Sequence, residues 1–67
     1  MNILDTIDAD QIEIGDQILI DGDPIEVDDL GETEDASEII VYGFSHESGD
    51  RVNIPLPYDY RVDVWAV

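Results

Sequence analysis

The sequence contains no cysteine, no lysine and no long run of apolar residues. Without cysteine there can be no disulfide, no thiolate zinc site and no cysteine nucleophile, and such a composition suits a reducing cytoplasm. No stretch approaches the ~20 apolar residues of a membrane span, and residues 1–5 lack the basic and apolar regions of a secretory signal. We therefore expect a soluble, cytoplasmic protein.

Positive charge is almost absent. The basic residues are Arg51 and Arg61, against 18 aspartates and glutamates, which gives a formal net charge of −16. Self-repulsion of this size destabilises a compact chain and makes nucleic acid and anionic membranes unsuitable partners. Hydrophobic residues nevertheless make up 43% of the sequence, which is too large a share for a disordered acidic tail. We expect one small folded domain, residues 1–67, with a thin core.

Short runs rich in β-branched residues lie between regularly spaced turn signals and predict strands rather than helices. Alternation supports this, because Val52, Ile54 and Leu56 would share one face of a strand. Residues 39–42 are apolar on both faces, which indicates a central strand where the sheet curls over itself. Five strands are predicted, at residues 17–20, 25–30, 38–44, 51–56 and 61–67.

Turn residues predict how these strands connect. Residues 21–24, Asp-Gly-Asp-Pro, suit a tight hairpin in which Gly22 adopts a positive φ and the proline begins the next strand. Residues 46–50 would close a second hairpin, and the acidic connection 29–37 is expected to be a mobile loop. Residues 1–10 leave two alternatives open: one turn of helix, or a segment lying across an open end of the sheet.

Five short strands with hairpin links favour a small antiparallel half-open barrel over a flat sheet with exposed edges. Residues 12–22, IEIGDQILIDG, resemble the first segment of small SH3-like barrels, in which a Gly-Asp turn leads into a strand. Residues 56–67 are similar to the short turn and closing strand of those barrels. In size and layout the chain resembles SH3-like proteins encoded by bacteriophages. The resemblance implies an all-β, five-stranded SH3-like half-open barrel, placed in the host cytoplasm if a phage encodes it.

The sequence offers few residues suited to catalysis or to a specific metal site. His46 is the one histidine, and we predict it to be a solvated turn residue; its neighbour Ser45 cannot complete a triad, which draws on separate elements. Carboxylates are plentiful, but none of their spacings matches a calcium-binding EF-hand loop. We therefore predict a non-enzymatic protein with no catalytic residue, no metal site and no cofactor.

The predicted function is binding to a basic protein surface. A surface charged almost entirely with one sign exceeds what solubility requires, and alternate strand positions recur about every 6.7 Å, close to the spacing of backbone phosphates. These features favour a nucleic-acid mimic, an inhibitor that occupies the basic site of a nucleic-acid-binding protein and does not itself contact nucleic acid or membrane. The predicted partner-binding residues are an acidic stripe and two aromatic anchors: Asp21, Asp23, Asp28, Asp29, Glu32, Glu34, Asp35, Tyr60 and Trp65.

Several alternatives stay open. By alternation Trp65 lies on the face of Asp63 rather than that of Val62, which predicts partial exposure; the other interpretation is that Trp65 caps one end of the barrel against the N-terminal segment. Excess aspartate and absent lysine also suit a structural or adaptor domain of a halophile, whose charge maintains solubility in concentrated salt. A further possibility is that an edge strand adds to the sheet of a partner. The sequence leaves the oligomeric state open.

Overall fold

The computed structural model describes the backbone of residues 2–66 and the side chains of residues 3–65. Strands account for 63% of the chain, and a single 3₁₀ turn, Ala9–Gln11, is the one helical element among the described residues. The all-β prediction is therefore confirmed. The strands are β1 (Asn2–Asp8), β2 (Gln17–Ile20), β3 (Asp23–Glu32), β4 (Glu38–Ser45), β5 (Arg51–Pro57) and β6 (Arg61–Ala66).

The six strands form one open antiparallel sheet in the order β1-β6-β2-β3-β4-β5. Each of the five predicted strands is present, although Val67, the predicted end of the last one, lies outside the described residues. The sixth strand, β1, was not predicted. It is neither a helical turn nor a crossing segment, because it pairs with the side of β6 that β2 leaves open and sets Ile7 opposite the buried Val62.

The hydrophobic core lies on one face of this sheet, hereafter the inner face. It is built from small and branched side chains contributed by five strands and by the segment around the 3₁₀ turn, which is consistent with period-two burial along each strand. Its buried members are Ala9, Ile12, Ile18, Ile20, Ile25, Val27, Val41, Leu56 and Val62. The predicted central strand β4 does lie between β3 and β5, but only Val41 of residues 39–42 is fully buried.

Both predicted hairpins are present. Asp21 and Gly22 join β2 to β3 with φ values of 51° and 80°, the two positive values of a type I′ turn. The hairpin from β4 to β5 closes with the N–H of Ser45 donating to the Asp50 carbonyl at 2.9 Å, and it contains Gly49 at φ 75°. No helix in the described part of the chain is long and apolar enough to cross a membrane.

A β-bulge in β3 determines where its acidic side chains point. Val27 pairs with Gly43, and Asp29 pairs with the next residue of β4, Tyr42, so Asp28 is an extra residue with no direct partner. An extra residue shifts the alternation by one. Side chains at even positions therefore face outward before Asp28, and those at odd positions face outward after it.

The prediction of a loop over residues 29–37 is wrong for residues 29–32, which belong to β3. β3 continues to Glu32, and the connection that remains is closed by the Thr33 N–H donating to the Glu38 carbonyl at 3.0 Å. The carboxylate of Asp35 accepts bonds from the hydroxyls of Thr33 and Ser37 and from the Ser37 N–H, at 2.8–3.2 Å. Polar bonds to one aspartate replace the apolar anchor that the sequence lacks.

Candidate protein-binding surface

Both arginines are engaged by carboxylates of the same chain. Arg51 Nη2 lies 2.6 Å from Asp28 Oδ2, and Arg61 Nη1 lies 2.9 Å from Asp8 Oδ1. Among the described residues, no other carboxylate forms an ion pair with an arginine. The net charge of −16 on an accessible surface of 4095 Å² corresponds to about one charge per 260 Å².

The predicted acidic stripe lies along one strand and its two flanking turns, with Asp21 before β3 and Glu34 and Asp35 after it. Asp21 and Glu34 are exposed, and neither side chain has a bonding partner among residues 3–65. A ten-residue strand spans about 33 Å. The stripe is therefore an extended row along the length of the molecule and not a compact cluster.

Besides Asp28 and Asp35, two more members of the predicted stripe have structural roles. The Asp23 carboxylate accepts the hydroxyl of the fully buried Ser45, at 2.8 Å and 2.9 Å to its two oxygens. Glu32 Oε2 accepts the Tyr58 hydroxyl at 3.0 Å. Both side chains lie on the inner-face side at opposite ends of β3, because the bulge at Asp28 reverses the alternation between them.

The outward positions of β3 near the bulge are Glu26, Asp28 and Asp29, all exposed. Glu26 was not among the predicted stripe residues, although its alternation with Ile25 and Val27 already placed it on the solvent side. Asp29 accepts the N–H of the next residue, Leu30, at 2.9 Å through one carboxylate oxygen. On the outer side of β3, Glu26 and Asp29 are therefore not paired with an arginine, whereas Asp28 bonds to Arg51. Together with Asp21 and Glu34 in the flanking turns, Glu26 and Asp29 form what we call the acidic row.

Two pKa values are shifted at the end of the molecule that holds the β3–β4 connection, that of Asp35 by hydrogen bonds and that of Tyr58 chiefly by desolvation. The hydroxyl of Ser37, followed by its N–H and the hydroxyl of Thr33, holds the pKa of Asp35 below the ordinary aspartate value. Desolvation, together with the hydrogen bond to Glu32 and the negative charge there, raises the pKa of Tyr58. Tyr58 was not predicted, because the pairing with Glu32 depends on two elements 26 residues apart.

The aromatic anchors are less accessible than predicted. Trp65 is only 7% exposed, so the expectation of partial exposure is wrong. Its indole N–H donates to the Ile18 carbonyl at 3.2 Å, and His46 lies edge-on to its ring at 6.2 Å between centroids. Tyr60 is half-buried and packs against the core. Neither residue offers the large free side chain that an anchor requires.

His46 lies in the turn after β4 and its side chain is 42% exposed, as predicted, but it also contacts neighbouring side chains. It lies between two rings, since its ring also meets Phe44 edge-on at 5.7 Å, and its Nε2 is 3.5 Å from a Glu26 oxygen. Trp65 is buried outside the main core, on the face opposite Val62. His46 therefore covers Trp65 on the outer side of the sheet and connects it to Phe44.

The outer side of β4 displays Ile40, Tyr42 and Phe44, hereafter the β4 ridge. Phe44 is 37% exposed and lies directly opposite Glu26 in the β3–β4 ladder, while Tyr42 lies opposite Asp29. The Tyr42 ring lies over Gly31, with Cε2 3.1 Å from the position that a Cβ would occupy there. The ridge therefore combines half-exposed apolar surface with carboxylates along one side.

The two edges of the sheet are protected in different ways. On β1, the outward N–H of Thr6 donates to Asp5 Oδ1 at 2.8 Å, the Thr6 carbonyl accepts Arg61 Nη2 at 3.0 Å, and the Asp8 N–H donates to Gln11 Oε1 at 3.1 Å. These groups are the ones an added strand would use.

On β5, the edge is limited by proline. The hydrogen-bonded pair of Ser45 and Asp50 fixes the alternation along the β4–β5 ladder. Pro55 and Pro57 then fall where the backbone nitrogen points away from β4, so neither can donate to an added strand. Strand addition, one of the alternatives from the sequence, is disfavoured at both edges.

No cavity opens among the described residues, and residues 2–66 contain no group of three or more His, Asp or Glu side chains placed to hold a metal ion. The surface carries the acidic row on β3, the β4 ridge beside it, and the exposed apolar side chains of Ile3, Leu4 and Ile14. No family model, curated protein or solved structure matches this chain.

Proposed function

We propose that this protein is a non-enzymatic acidic binding protein that occupies a basic, nucleic-acid-binding site on a partner protein. The observation that carries the proposal is the internal pairing of both arginines, with Asp28 and Asp8. Neither arginine is left unpaired to oppose a basic partner, whereas exposed carboxylates lie on β3 between Glu26 and Glu32 and in the turns before and after it. As an occupant of such a site the protein would act as a nucleic-acid mimic and an inhibitor in the cytoplasm.

The dimensions of the acidic row support this proposal. β3 spans about 33 Å, and one turn of duplex DNA spans about 34 Å. Asp21 and Glu34 mark the two ends of the row, while Glu26 and Asp29 lie between them. A cleft that accommodates about one turn of duplex could therefore contact acids along the full row.

We further propose that β2–β6 form an SH3-like half-open barrel of the phage-encoded type, with β1 as an added strand. Support comes from the order β6-β2-β3-β4-β5, in which the last strand returns to pair with the first of the five. The turn at residues 58–60, closed by the Tyr60 N–H donating to the Pro57 carbonyl at 3.0 Å, would be the short turn before the closing strand.

The test begins with capture of partners from a bacterial lysate at low salt, followed by competition with duplex DNA for each captured protein. Two variants with equal charge change are compared. The first reverses to lysine four exposed acids of the row that bond neither to an arginine nor to a buried side chain, and the second reverses four exposed acids elsewhere. Of the row set, Glu26 contacts another element, through His46 Nε2 at 3.5 Å. The sets are Asp21, Glu26, Asp29 and Glu34 for the row, and Glu13, Glu47, Asp50 and Asp59 for the control.

We expect DNA to displace the protein, and the row variant to lose binding much more than the control. The association rate should fall steeply with ionic strength while the dissociation rate changes less, because long-range attraction mainly accelerates encounter. A partner that binds DNA and this protein simultaneously and independently would show that the protein is not a nucleic-acid mimic.

A further inference from the structure

Two aromatic residues of the β4 ridge each lie directly opposite a carboxylate on the outer face of the sheet. Glu26 pairs with Phe44, and Asp29 pairs with Tyr42. Side chains at directly opposed positions have Cβ atoms about 5 Å apart. The two aromatic–carboxylate pairs are two residues apart along β4, a separation of about 6.7 Å.

The chain already places an arginine on this face. Arg51 belongs to β5 and contacts Asp28 of β3 at 2.6 Å, although β4 lies between these two strands. The Arg51 side chain must therefore cross the outer side of β4, where the residue directly opposite it is Phe44. Three carboxylates on β3 and one guanidinium leave this face with a net negative charge.

We propose that the outer face formed by the β4 ridge and the carboxylates of Glu26 and Asp29 binds arginine side chains at alternate positions of an extended segment of the partner. This inference rests on the proposed function and identifies what the partner presents. Each guanidinium would lie against one aromatic ring and bond to the carboxylate opposite that ring. The contact between Arg51 and Asp28 shows that a guanidinium can reach a β3 carboxylate across the outer side of β4.

Arginine fits this face better than lysine for two reasons. A guanidinium can stack on a ring while its N–H groups form a fork to a carboxylate, whereas an ammonium is a compact, strongly hydrated charge. Alternate residues of an extended segment recur at the same ~6.7 Å as alternate residues of β4. An Arg-x-Arg segment aligned with β4 therefore places one guanidinium at each aromatic–carboxylate pair.

The experiment uses two synthetic peptides of equal length and charge, one with arginine and one with lysine at alternate positions. Their affinities for the intact protein are measured by calorimetry at low salt, and amide shift changes are mapped by NMR. We expect the arginine peptide to bind at least about three-fold more tightly. The largest shift changes should fall on residues 26–29 and 40–44.

Matched variants separate the ridge from general charge attraction. Phe44→Ser should remove the preference for arginine over lysine, while Leu4→Ser, which alters a more exposed apolar side chain (66%) on β1, should leave it unchanged. Glu26→Gln should lower the affinity for the arginine peptide more than Asp59→Asn does, although Asp59→Asn removes the same charge from an exposed turn. Phe44→Leu keeps an apolar side chain without a ring, so it tests the stacking even if Phe44→Ser does not fold.

The outcomes distinguish this inference from the function on which it rests. If the two peptides bind with equal affinity, or if Glu26→Gln and Asp59→Asn lose equal affinity for the arginine peptide, the β4 ridge is not the arginine-binding face. Binding by charge alone would remain possible in either case. If neither peptide binds at low salt, the attraction to basic surfaces is itself wrong and the proposed function fails with it.

Discussion

Gly43 is the residue at which one added methyl group should disrupt the fold most. It lies on the inner face of β4 opposite Val27, beside the bulge, where the two backbones approach closely. A Cβ at this position would overlap the carbonyl oxygen of Glu26 and lie 2.9 Å from Ile25 Cγ2. Since the first obstacle is backbone, β3 and β4 must separate before alanine can be accommodated.

The destabilisation expected for Gly43→Ala can be compared with the free energy of unfolding of a domain of this size. Overpacking that moves backbone costs about 1–3 kcal/mol and sometimes more, and a core of this size supplies about 3–5 kcal/mol. A loss of about 2 kcal/mol in Gly43→Ala would therefore be roughly half of the free energy of unfolding. Gly31→Ala is the matched control on the same strand pair, because its Cβ would meet only the movable Tyr42 ring at 3.1 Å and alanine is intrinsically favoured over glycine by about 0.5–1 kcal/mol.

The assay is urea denaturation followed by the fluorescence of the single tryptophan, Trp65. Both variants make the same glycine-to-alanine change in the unfolded chain, so their difference reports the folded state. We expect Gly31→Ala to stay within about 0.5 kcal/mol of the parent, and Gly43→Ala to lose about 2 kcal/mol or more. Equal losses in the two variants would refute the close approach of β3 and β4 at the bulge.

Three further predictions concern charge. Self-repulsion is screened over about 8 Å at physiological salt, so the melting temperature should rise between very low and half-molar monovalent salt. An unchanged melting temperature would show that self-repulsion does not limit stability. Stabilisation that continues to molar salt would favour the halophile alternative. The carboxyl of Asp35, observed by NMR, should titrate below the ordinary aspartate value and move upward in Ser37→Ala; its stabilisation is present above the unfolded pKa and is lost as pH falls through the lower folded pKa. Two double variants conserve the net charge: Asp5→Ala/Arg61→Ala and Asp28→Ala/Arg51→Ala. The first uncovers the β1 edge and should raise self-association in sedimentation experiments, whereas equal behaviour of the two would contradict edge protection.

The strands and hairpins could be predicted because their signals are local. Alternation along β5 and the Asp21-Gly22 turn each depend on a few adjacent residues. β1 could not be predicted in the same way, because an irregularity between Ile3 and Asp5 interrupts its pairing. Its partner, β6, lies at the other end of the sequence, so nothing near β1 indicates that it will be a strand.

The candidate site was less predictable because one extra residue changes which way the acids point. Nothing in the sequence distinguishes Asp28 as a bulge from its neighbours, yet the bulge leaves Asp29 outward and turns Glu32 toward Tyr58. Alternation placed Trp65 on the correct face, but its cover, His46, comes from a distant hairpin. Charge and strand pattern therefore predict that there is an acidic surface, but tertiary contacts decide which residues belong to it.

If the proposed complex buries an interface of ordinary size, charge alone supplies too little affinity to hold it. About 800 Å² per partner is about one fifth of the 4095 Å² surface, and at the average charge density it holds about three net charges. Exposed ion pairs contribute about 0–1 kcal/mol each, whereas micromolar affinity requires about 8 kcal/mol. Charge can therefore set the rate of approach and the choice of a basic partner, but it cannot hold the complex. With both sheet edges protected and Trp65 covered by His46, the ring of Phe44 is the exposed large apolar side chain that lies directly opposite a carboxylate, Glu26, and in the proposed complex it would supply part of the missing affinity.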